Sequence, residues 1–212
     1  MVQDADPYTY PGTNVLRNKA GIRDANALRD FEYEDVNFRV EDLRENPIQG
    51  KFDLAHLKKI HKYLFQGVYE WAGEVRTRNI LKDKTRFCNT HFIEGYADII
   101  SDGLSKENNL RGLDKTNFVN RLAFYFSEWN TVHPFRDGNG RSIREFFGQL
   151  AREAGYEIDQ TKIDRNKDRW DRASELSFVN NMEPLKQLLT EAVQPARDVA
   201  LEKLPREVPR SQ

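Results

Sequence analysis

The side chains most able to do chemistry cluster between His133 and Arg144, in the stretch HPFRDGNGRSIR. Gly138 and Gly140 flank Asn139 directly before a predicted helix. The backbone can therefore curl into a concavity of N–H groups, and the first turn of the helix adds its own unpaired amides. Such a loop is suited to phosphate oxygens, although a Gly-Asn-Gly sequence by itself most often forms a plain turn.

Two arginines follow this loop on the predicted helix. Arg141 and Arg144 are three residues apart and therefore project from one helix face. Their planar guanidinium groups can bind two different phosphates. The spacing predicts a polyphosphate ligand in preference to a single phosphate.

An acid and a histidine lie next to this glycine-containing loop, the predicted anion cradle. Asp137 offers a hard carboxylate oxygen, which suits Mg²⁺ held jointly by one side chain and the substrate's phosphates; the alternative is a plain ion pair with an arginine. His133 ends the preceding helix and Pro134 fixes the exit of the chain, so the imidazole can act as a general base near neutral pH. A histidine before a proline is otherwise a packed or capping residue.

Helical periodicity predicts the elements that position these residues. Asp53 is an expected N-cap, and Gly155 an expected end signal after the motif helix. A charged LKDK run suggests a β-hairpin or flap over positions 76–87. The predicted class is all-α with one small hairpin, and the predicted helices cover 24–45, 53–68, 92–104, 114–129, 141–154, 164–176 and 182–193.

Length and charge limit the remaining possibilities. The 212 residues suit one domain, which we place at 23–194, after an N-terminal arm at 1–22 and before a charged tail at 195–212. With 33 basic and 34 acidic residues there is no global field to collect nucleic acid. We expect no membrane span, no export signal and, with Cys88 alone, no internal disulfide.

The motif resembles the signature of the Fic family, HPFx[D/E]GNGRxxR, at every fixed position. The resemblance extends to DPYTYPGTNVLRNKAGI near the N-terminus and to IHKYLFQGVYEWAGEVR at 60–76. It is greatest to the small toxin-like members, especially the Fic domains of Bartonella effector proteins. It implies the Fic fold, a helical bundle with a hairpin flap over the active site. By the same resemblance, we expect the tail to lead toward domains absent from this sequence.

The resemblance implies a protein adenylyltransferase, which moves AMP from ATP to a Ser, Thr or Tyr hydroxyl of a target and releases pyrophosphate. Mg²⁺ is the implied cofactor and ATP the co-substrate. The implied roles are His133 as base, Asp137 as Mg²⁺ ligand, Gly138 and Gly140 as anion cradle, and Asn139, Arg141 and Arg144 as contacts to the α-, β- and γ-phosphates.

In the family the flap pairs with an extended stretch of the target by β-augmentation. Here Lys82, Asp83 and Lys84 are the expected target-binding residues; the alternative is a solvated hairpin tip. The implied targets are a bacterial topoisomerase subunit or a host Rho-type small GTPase. The expected location is the bacterial cytoplasm or, after translocation, the host-cell cytosol.

Many family members are inhibited by a helix with the pattern [S/T]xxxE[G/N], whose glutamate pairs with the second motif arginine. Residues 90–95, THFIEG, match this pattern by letters, but a position directly after the flap is wrong for that helix. We therefore expect a small antitoxin-like protein to supply the glutamate to Arg144.

Alternative interpretations of the function have less support in the sequence. A nucleotide-dependent binding module without transfer activity is the main alternative, and a helical scaffold without nucleotide leaves the clustered polar residues unexplained. Cys88 with His91 has no accompanying acid for thiol catalysis, and we expect a structural cysteine. His56 and His61 are five residues apart on a helix, which is poor metal spacing, and we expect His61 to be a packed polar residue.

Overall fold

The computed structural model describes residues 6–82 and 85–196, and these fold mainly into helices around one core. The helices are α1 (Ala25–Glu45), α2 (Leu54–Phe65), α3 (Ile93–Lys106), α4 (Lys115–Val132), α5 (Asn139–Glu153), α6 (Gln160–Arg165), α7 (Lys167–Ser177) and α8 (Glu183–Ala192). The strands are β1 (Leu81–Lys82), β2 (Thr85–Arg86), β3 (Tyr156–Ile158) and β4 (Val193–Pro195). The predicted all-α class with a small hairpin is confirmed.

Aspartates begin three of the helices that were predicted from periodicity. Asp24, Asp53 and Asp114 each accept a hydrogen bond from a backbone N–H in the first turn of α1, α2 and α4, respectively. These caps satisfy amides that have no partner inside the helix and favour the helical start. The predicted beginnings of these three helices are therefore correct.

The core lies where α5 packs against α2 and α4. The apolar face of α2 is fully buried, with Leu57, Ile60 and Leu64. Phe146 of α5 lies between Phe52 and Trp129, with ring centroids 5.6 and 5.5 Å away. The α4–α5 junction, which carries the motif, is thus anchored on both sides by large buried side chains.

Two elements near the C-terminus differ from the sequence prediction. The predicted helix at 164–176 is two helices, α6 and α7, which are separated at Asn166 (φ −118°). The predicted helix at 182–193 ends at Ala192 because Val193 enters β4, which pairs antiparallel with β3. A strand of three residues carries too little periodicity to be recognised from sequence. The predicted tail boundary at 195 falls within β4, and residues 197–212 lie outside the described part of the chain.

The N-terminal arm, described from Asp6, packs onto the motif and the base of the flap. A β-bridge between Thr9 and Leu16 folds it back on itself. Asp6 forms an ion pair with Arg136 at 2.8 Å. The Tyr8 hydroxyl accepts a hydrogen bond from the backbone N–H of Thr77 at 3.0 Å. In the described ranges we find no helix that is both long and apolar enough to traverse a bilayer.

Candidate active site

The motif forms a tight connection between α4 and α5. His133 caps the end of α4 in the left-handed region, with φ 46° and ψ 62°. Gly138 precedes α5 in the same region, with φ 76°. Two left-handed residues only five positions apart turn the chain sharply, and the backbone between them lies beside the first turn of α5. The N–H groups of that turn have no acceptor inside the helix and are available to an anion.

The His133 ring has a defined tautomer. Nδ1 lies 3.1 Å from the carbonyl oxygen of Asn130. Because a carbonyl can only accept, Nδ1 carries the proton and Nε2 of the neutral ring carries the lone pair. Phe87 stacks on the ring, with centroids 3.7 Å apart and planes 17° apart. This arrangement orients the imidazole in the way a general base requires.

Asn139 braces the motif loop from inside. Its side chain is 2% exposed, and its Oδ1 accepts from the Phe135 N–H while its Nδ2 donates to the Phe135 carbonyl, both at 2.9 Å. Both ends of the amide are therefore engaged by the backbone of one residue of the loop. The α-phosphate contact that the resemblance implied stays a prediction. The observed role of Asn139 is to hold the shape of the loop.

His61 braces the same loop from α2. Its Nδ1 accepts from the Gly73 N–H at 2.8 Å, and its Nε2–H donates to the Asp137 carbonyl at 3.0 Å. The ring stacks on Phe135, with centroids 3.8 Å apart. Burial lowers the pKa of His61 to about 3, so the ring is neutral. Sequence reasoning recognised a packed polar residue but missed this contact, which joins positions 76 residues apart.

The two motif glycines have different surroundings. A Cβ on Gly138 would lie 2.4 Å from Cζ of Phe65 and would also have to adopt a positive φ. A Cβ on Gly140 would meet nothing within 4 Å, and Gly140 lines the cleft at the start of α5. Gly138 is thus required by the fold, whereas Gly140 leaves space that a phosphate can occupy.

The two motif arginines reach acids on different elements. Arg141 lines the cleft and pairs with Glu32 of α1 at 2.6 Å, with Asp137 at 3.7 Å. Arg144 pairs with Asp164 of α6 at 2.8 Å and is not among the cleft-lining residues of the described chain. The two arginines were predicted to project together toward one ligand, but in the structure their guanidinium groups pair with acids on different helices. A polyphosphate would have to compete with both carboxylates.

Asp137 is suited to a magnesium ion that is completed by substrate. Its side chain is 48% exposed, and its Oδ1 accepts from the Gly138 N–H. Within residues 6–82 and 85–196 there is no group of three metal-binding side chains. One accessible carboxylate beside a phosphate cradle is the donor set that Mg²⁺ uses, because the ion keeps waters and takes its other ligands from the phosphates. The residues fit the ion.

The cleft has a volume of about 440 Å³, which lies in the range of small-molecule sites. One wall is the motif, another is the flap stem with Ile80 and Leu81, and the third is α7. Sequence reasoning missed the α7 wall because no motif marks it. Its cleft-lining residues follow helical spacing, namely Trp170, Asp171, Ser174, Glu175 and the succeeding Phe178.

The flap consists of two very short antiparallel strands. Leu81 pairs with Arg86, and Lys82 pairs with Thr85. Of the three predicted target-binding residues, Lys82 lies in β1, whereas Asp83 and Lys84 lie outside the described residues. Their role in target binding stays a prediction.

Residues 90–95 do not form a separate helix. Thr90–Phe92 is a 3₁₀ turn, and the exposed Glu94 lies in the first turn of α3. Cys88 donates its backbone N–H to the Thr131 carbonyl at 3.0 Å, and burial raises the pKa of its thiol. A raised pKa disfavours a nucleophilic thiolate, in agreement with a structural role.

Comparisons with known proteins give one family. Residues 51–151 match the model of the Fic/DOC family. Over 184 residues the chain is 46% identical to "Protein adenylyltransferase VbhT" of Bartonella schoenbuchensis, covering 87% of this chain and 38% of that relative. Over 192 residues it is 36% identical to "Probable protein adenylyltransferase Fic" of Escherichia coli, covering 90% and 94%. The crystal structure of BepC from Bartonella tribocorum with bound AMPPNP matches with a TM-score of 0.84 and 32% identity, covering 90% and 97%.

Proposed function

The chain belongs to the Fic/DOC family, and we propose that it moves AMP from ATP to a hydroxyl group of a target protein. The observation that carries this proposal is the position of the His133 ring. Its Nδ1–H donates to the Asn130 carbonyl, and the ring lines the same cleft as the N-terminus of α5 and Arg141. A base and an anion cradle thus share one cleft. The names of two relatives, "Protein adenylyltransferase VbhT" and "Probable protein adenylyltransferase Fic", support the same reaction.

Nε2 of His133 takes the proton of the target hydroxyl as its oxygen attacks the α-phosphorus. The bond from that phosphorus to the α–β bridging oxygen breaks, and pyrophosphate leaves with the electron pair. Positioning and neutralisation of charge supply most of the rate of such transfers. The N–H groups of the first turn of α5 and the guanidinium of Arg141 are placed to provide that neutralisation.

Asp137 is the residue that would hold Mg²⁺. When bound, the ion would neutralise charge on the α- and β-phosphates. The carboxylate is half-exposed and adjoins the cradle, and this supports the assignment.

We place the adenine base against α7. The wall of the cleft there combines the aromatic Trp170 and Phe178 with the acceptors Ser174 and Glu175. Aromatic faces suit a flat base, and oxygen acceptors suit its exocyclic amine. The related BepC structure contains AMPPNP, which supports a nucleotide in this cleft.

The phosphates must displace two ion pairs. Arg141 leaves Glu32 for the β-phosphate, and Arg144 leaves Asp164 for the γ-phosphate. Both pairs are partly exposed, and pairs of this kind contribute only about 0–1 kcal/mol. A Mg²⁺-bound triphosphate with several contacts can compete with them.

The partners follow from the same surfaces. The target docks on the flap at 76–87 and is a Rho-type small GTPase or a bacterial topoisomerase subunit. An antitoxin-like protein supplies an inhibitory glutamate to Arg144; the existing pair with Asp164 supports this, because the guanidinium already donates to a carboxylate. The chain acts in the bacterial cytoplasm or, as with relatives described as VirB-translocated effectors, inside a host cell.

Transfer from differently labelled ATP tests the reaction. Label on the α-phosphate should enter a target protein in bacterial or host lysate, and label on the γ-phosphate should not. His133→Ala should abolish transfer and keep binding of a fluorescent ATP analogue. The matched control is His91→Ala, since His91 is exposed on the 3₁₀ turn. Transfer of the γ-label would contradict AMP transfer, and ATP binding without transfer by the unmutated protein would favour a binding module.

A further inference from the structure

Arg76 is a buried cation between the flap and the motif. Its side chain is 2% exposed and is among the largest buried side chains of the described residues. Burial of an arginine is costly unless its donors are paired. In the described part of the chain, the hydrogen bonds of its guanidinium go to main-chain carbonyls. The mechanism proposed above gives this residue no role.

One set of these hydrogen bonds caps the end of α4 at the catalytic histidine. Nε donates to the His133 carbonyl at 2.8 Å, and Nη2 lies 3.4 Å from the Val132 carbonyl. The backbone N–H of Arg76 donates to the Pro134 carbonyl at 2.8 Å. Three successive carbonyls of the turn are thus held by one residue. The C-terminal end of the α4 dipole also favours a positive charge there.

A second set holds the two stems of the flap. Nη1 donates to the Arg78 carbonyl at 2.8 Å, and Nη2 donates to the Cys88 carbonyl. Arg78 lies in the first stem, the segment that leads into β1, and Cys88 lies in the second stem, the segment that follows β2. The same guanidinium therefore joins both stems to the turn that carries His133.

The backbone of His133 needs such support. Its φ of 46° and ψ of 62° place a residue with a Cβ in the left-handed region, where strain costs about 1–3 kcal/mol. Its ring stacks on Phe87, which directly precedes Cys88 in the second stem. Arg76 thus holds both the peptide of His133 and the stem that supplies its stacking partner.

We propose that Arg76 is a positioning residue, which keeps His133 turned toward the cleft and couples its orientation to the flap. The inference rests on the proposed role of His133 as the base. It adds that a strand docked on the flap acts on the base through the Arg76 hydrogen bonds. Disturbing these bonds should impair the transfer step while the nucleotide still binds.

Two substitutions test the coupling in the full chain. Arg76→Lys keeps the charge but cannot span the carbonyls, and Arg76→Met keeps the volume without charge or donors. Each should lower kcat for transfer from α-labelled ATP about 100-fold, as expected for a misplaced catalytic group, with KM for ATP unchanged. Arg121→Lys is the matched control, because this arginine belongs to α4 itself and its guanidinium pairs with the Glu107 carboxylate, not with main-chain carbonyls. It should leave kcat unchanged.

A spectroscopic measurement decides the question without any activity. The chain contains four histidines, and their ring signals can be resolved by ¹³C labelling and assigned with His133→Gln. The His133 ring protons should be shifted upfield by the Phe87 face in the unmutated protein and in Arg121→Lys. That shift should disappear in both Arg76 variants.

Each outcome is decisive. A folded Arg76 variant that retains both the upfield shift and kcat overturns the coupling. If circular dichroism shows that both Arg76 variants are unfolded, the role of Arg76 is purely to stabilise the fold, and the proposed coupling is also overturned. If His133→Ala retained transfer, the proposed base would be wrong, yet the ring shift would still report whether Arg76 orients His133.

Discussion

The motif turn and the flap face the same cleft, but they are held in opposite ways. The turn is buried and braced from inside, by Asn139 on the Phe135 backbone and by His61 on the Asp137 carbonyl. The flap has two strands of two residues, and Leu81 at its start is 65% exposed. The difference separates two tasks: the phosphate site is preorganised, whereas the target site can adapt to the strand that it receives.

The largest expected effect concerns His61 and acid. Burial lowers its pKa to about 3, so between about pH 6.5 and pH 3 this histidine binds a proton in the unfolded chain but not in the folded chain. Stability from this residue is therefore present above pH 6.5 and declines as the pH falls toward 3. Between pH 6 and pH 4 the loss should reach about 2–3 kcal/mol, at 1.36 kcal/mol for each pH unit.

Urea unfolding at several pH values measures this loss. His61→Gln cannot titrate and should show a shallower fall in the free energy of unfolding on acidification. His91→Gln, at an exposed histidine, should keep the slope of the unmutated protein. Equal slopes in His61→Gln and the unmutated protein would show that the turn is not locked by a neutral His61.

Asn139 provides the second test of the braced turn. Asn139→Ala removes both hydrogen bonds to the Phe135 backbone and leaves a buried N–H and a buried carbonyl without those partners. We expect a loss of about 2 kcal/mol in the free energy of unfolding, measured in urea. Leu81→Ala in the flap should change it by less than about 0.5 kcal/mol. Similar losses in the two variants would remove the distinction between turn and flap.

The two motif glycines distinguish the role of the turn in folding from its role in binding phosphate. Gly138→Ala forces a Cβ against Phe65 at a positive φ and should cost about 1–2 kcal/mol of stability. Gly140→Ala meets no atom and lies in α5, so stability should stay equal or rise by up to about 1 kcal/mol. Its methyl group should nevertheless weaken binding of a fluorescent ATP analogue. Normal nucleotide affinity in Gly140→Ala would argue against a phosphate beside this glycine.

The sequence was informative where the cause is local. The caps at Asp53 and Asp114 lie next to the periodic helices that they begin, and the motif glycines announce a turn. His61 and Arg76 could not be assigned, because their partners are set by how α2 and the flap stems pack against the motif. The α7 wall was missed for the same reason, since its contribution depends on tertiary placement and not on residue type.

The smallest effect on stability is expected at the tip of the flap. Lys82→Ala, Asp83→Ala and Lys84→Ala together should leave the free energy of unfolding within about 0.5 kcal/mol, because the sequence predicts these charged side chains to be solvated. Labelling of the target should fall, because the triple variant loses charges proposed to select the docked strand, while self-labelling continues. A surface control is Lys106→Ala with Lys115→Ala, two exposed lysines that do not line the cleft. An equal fall in target labelling and self-labelling would place the defect in catalysis and leave the tip without a recognition role.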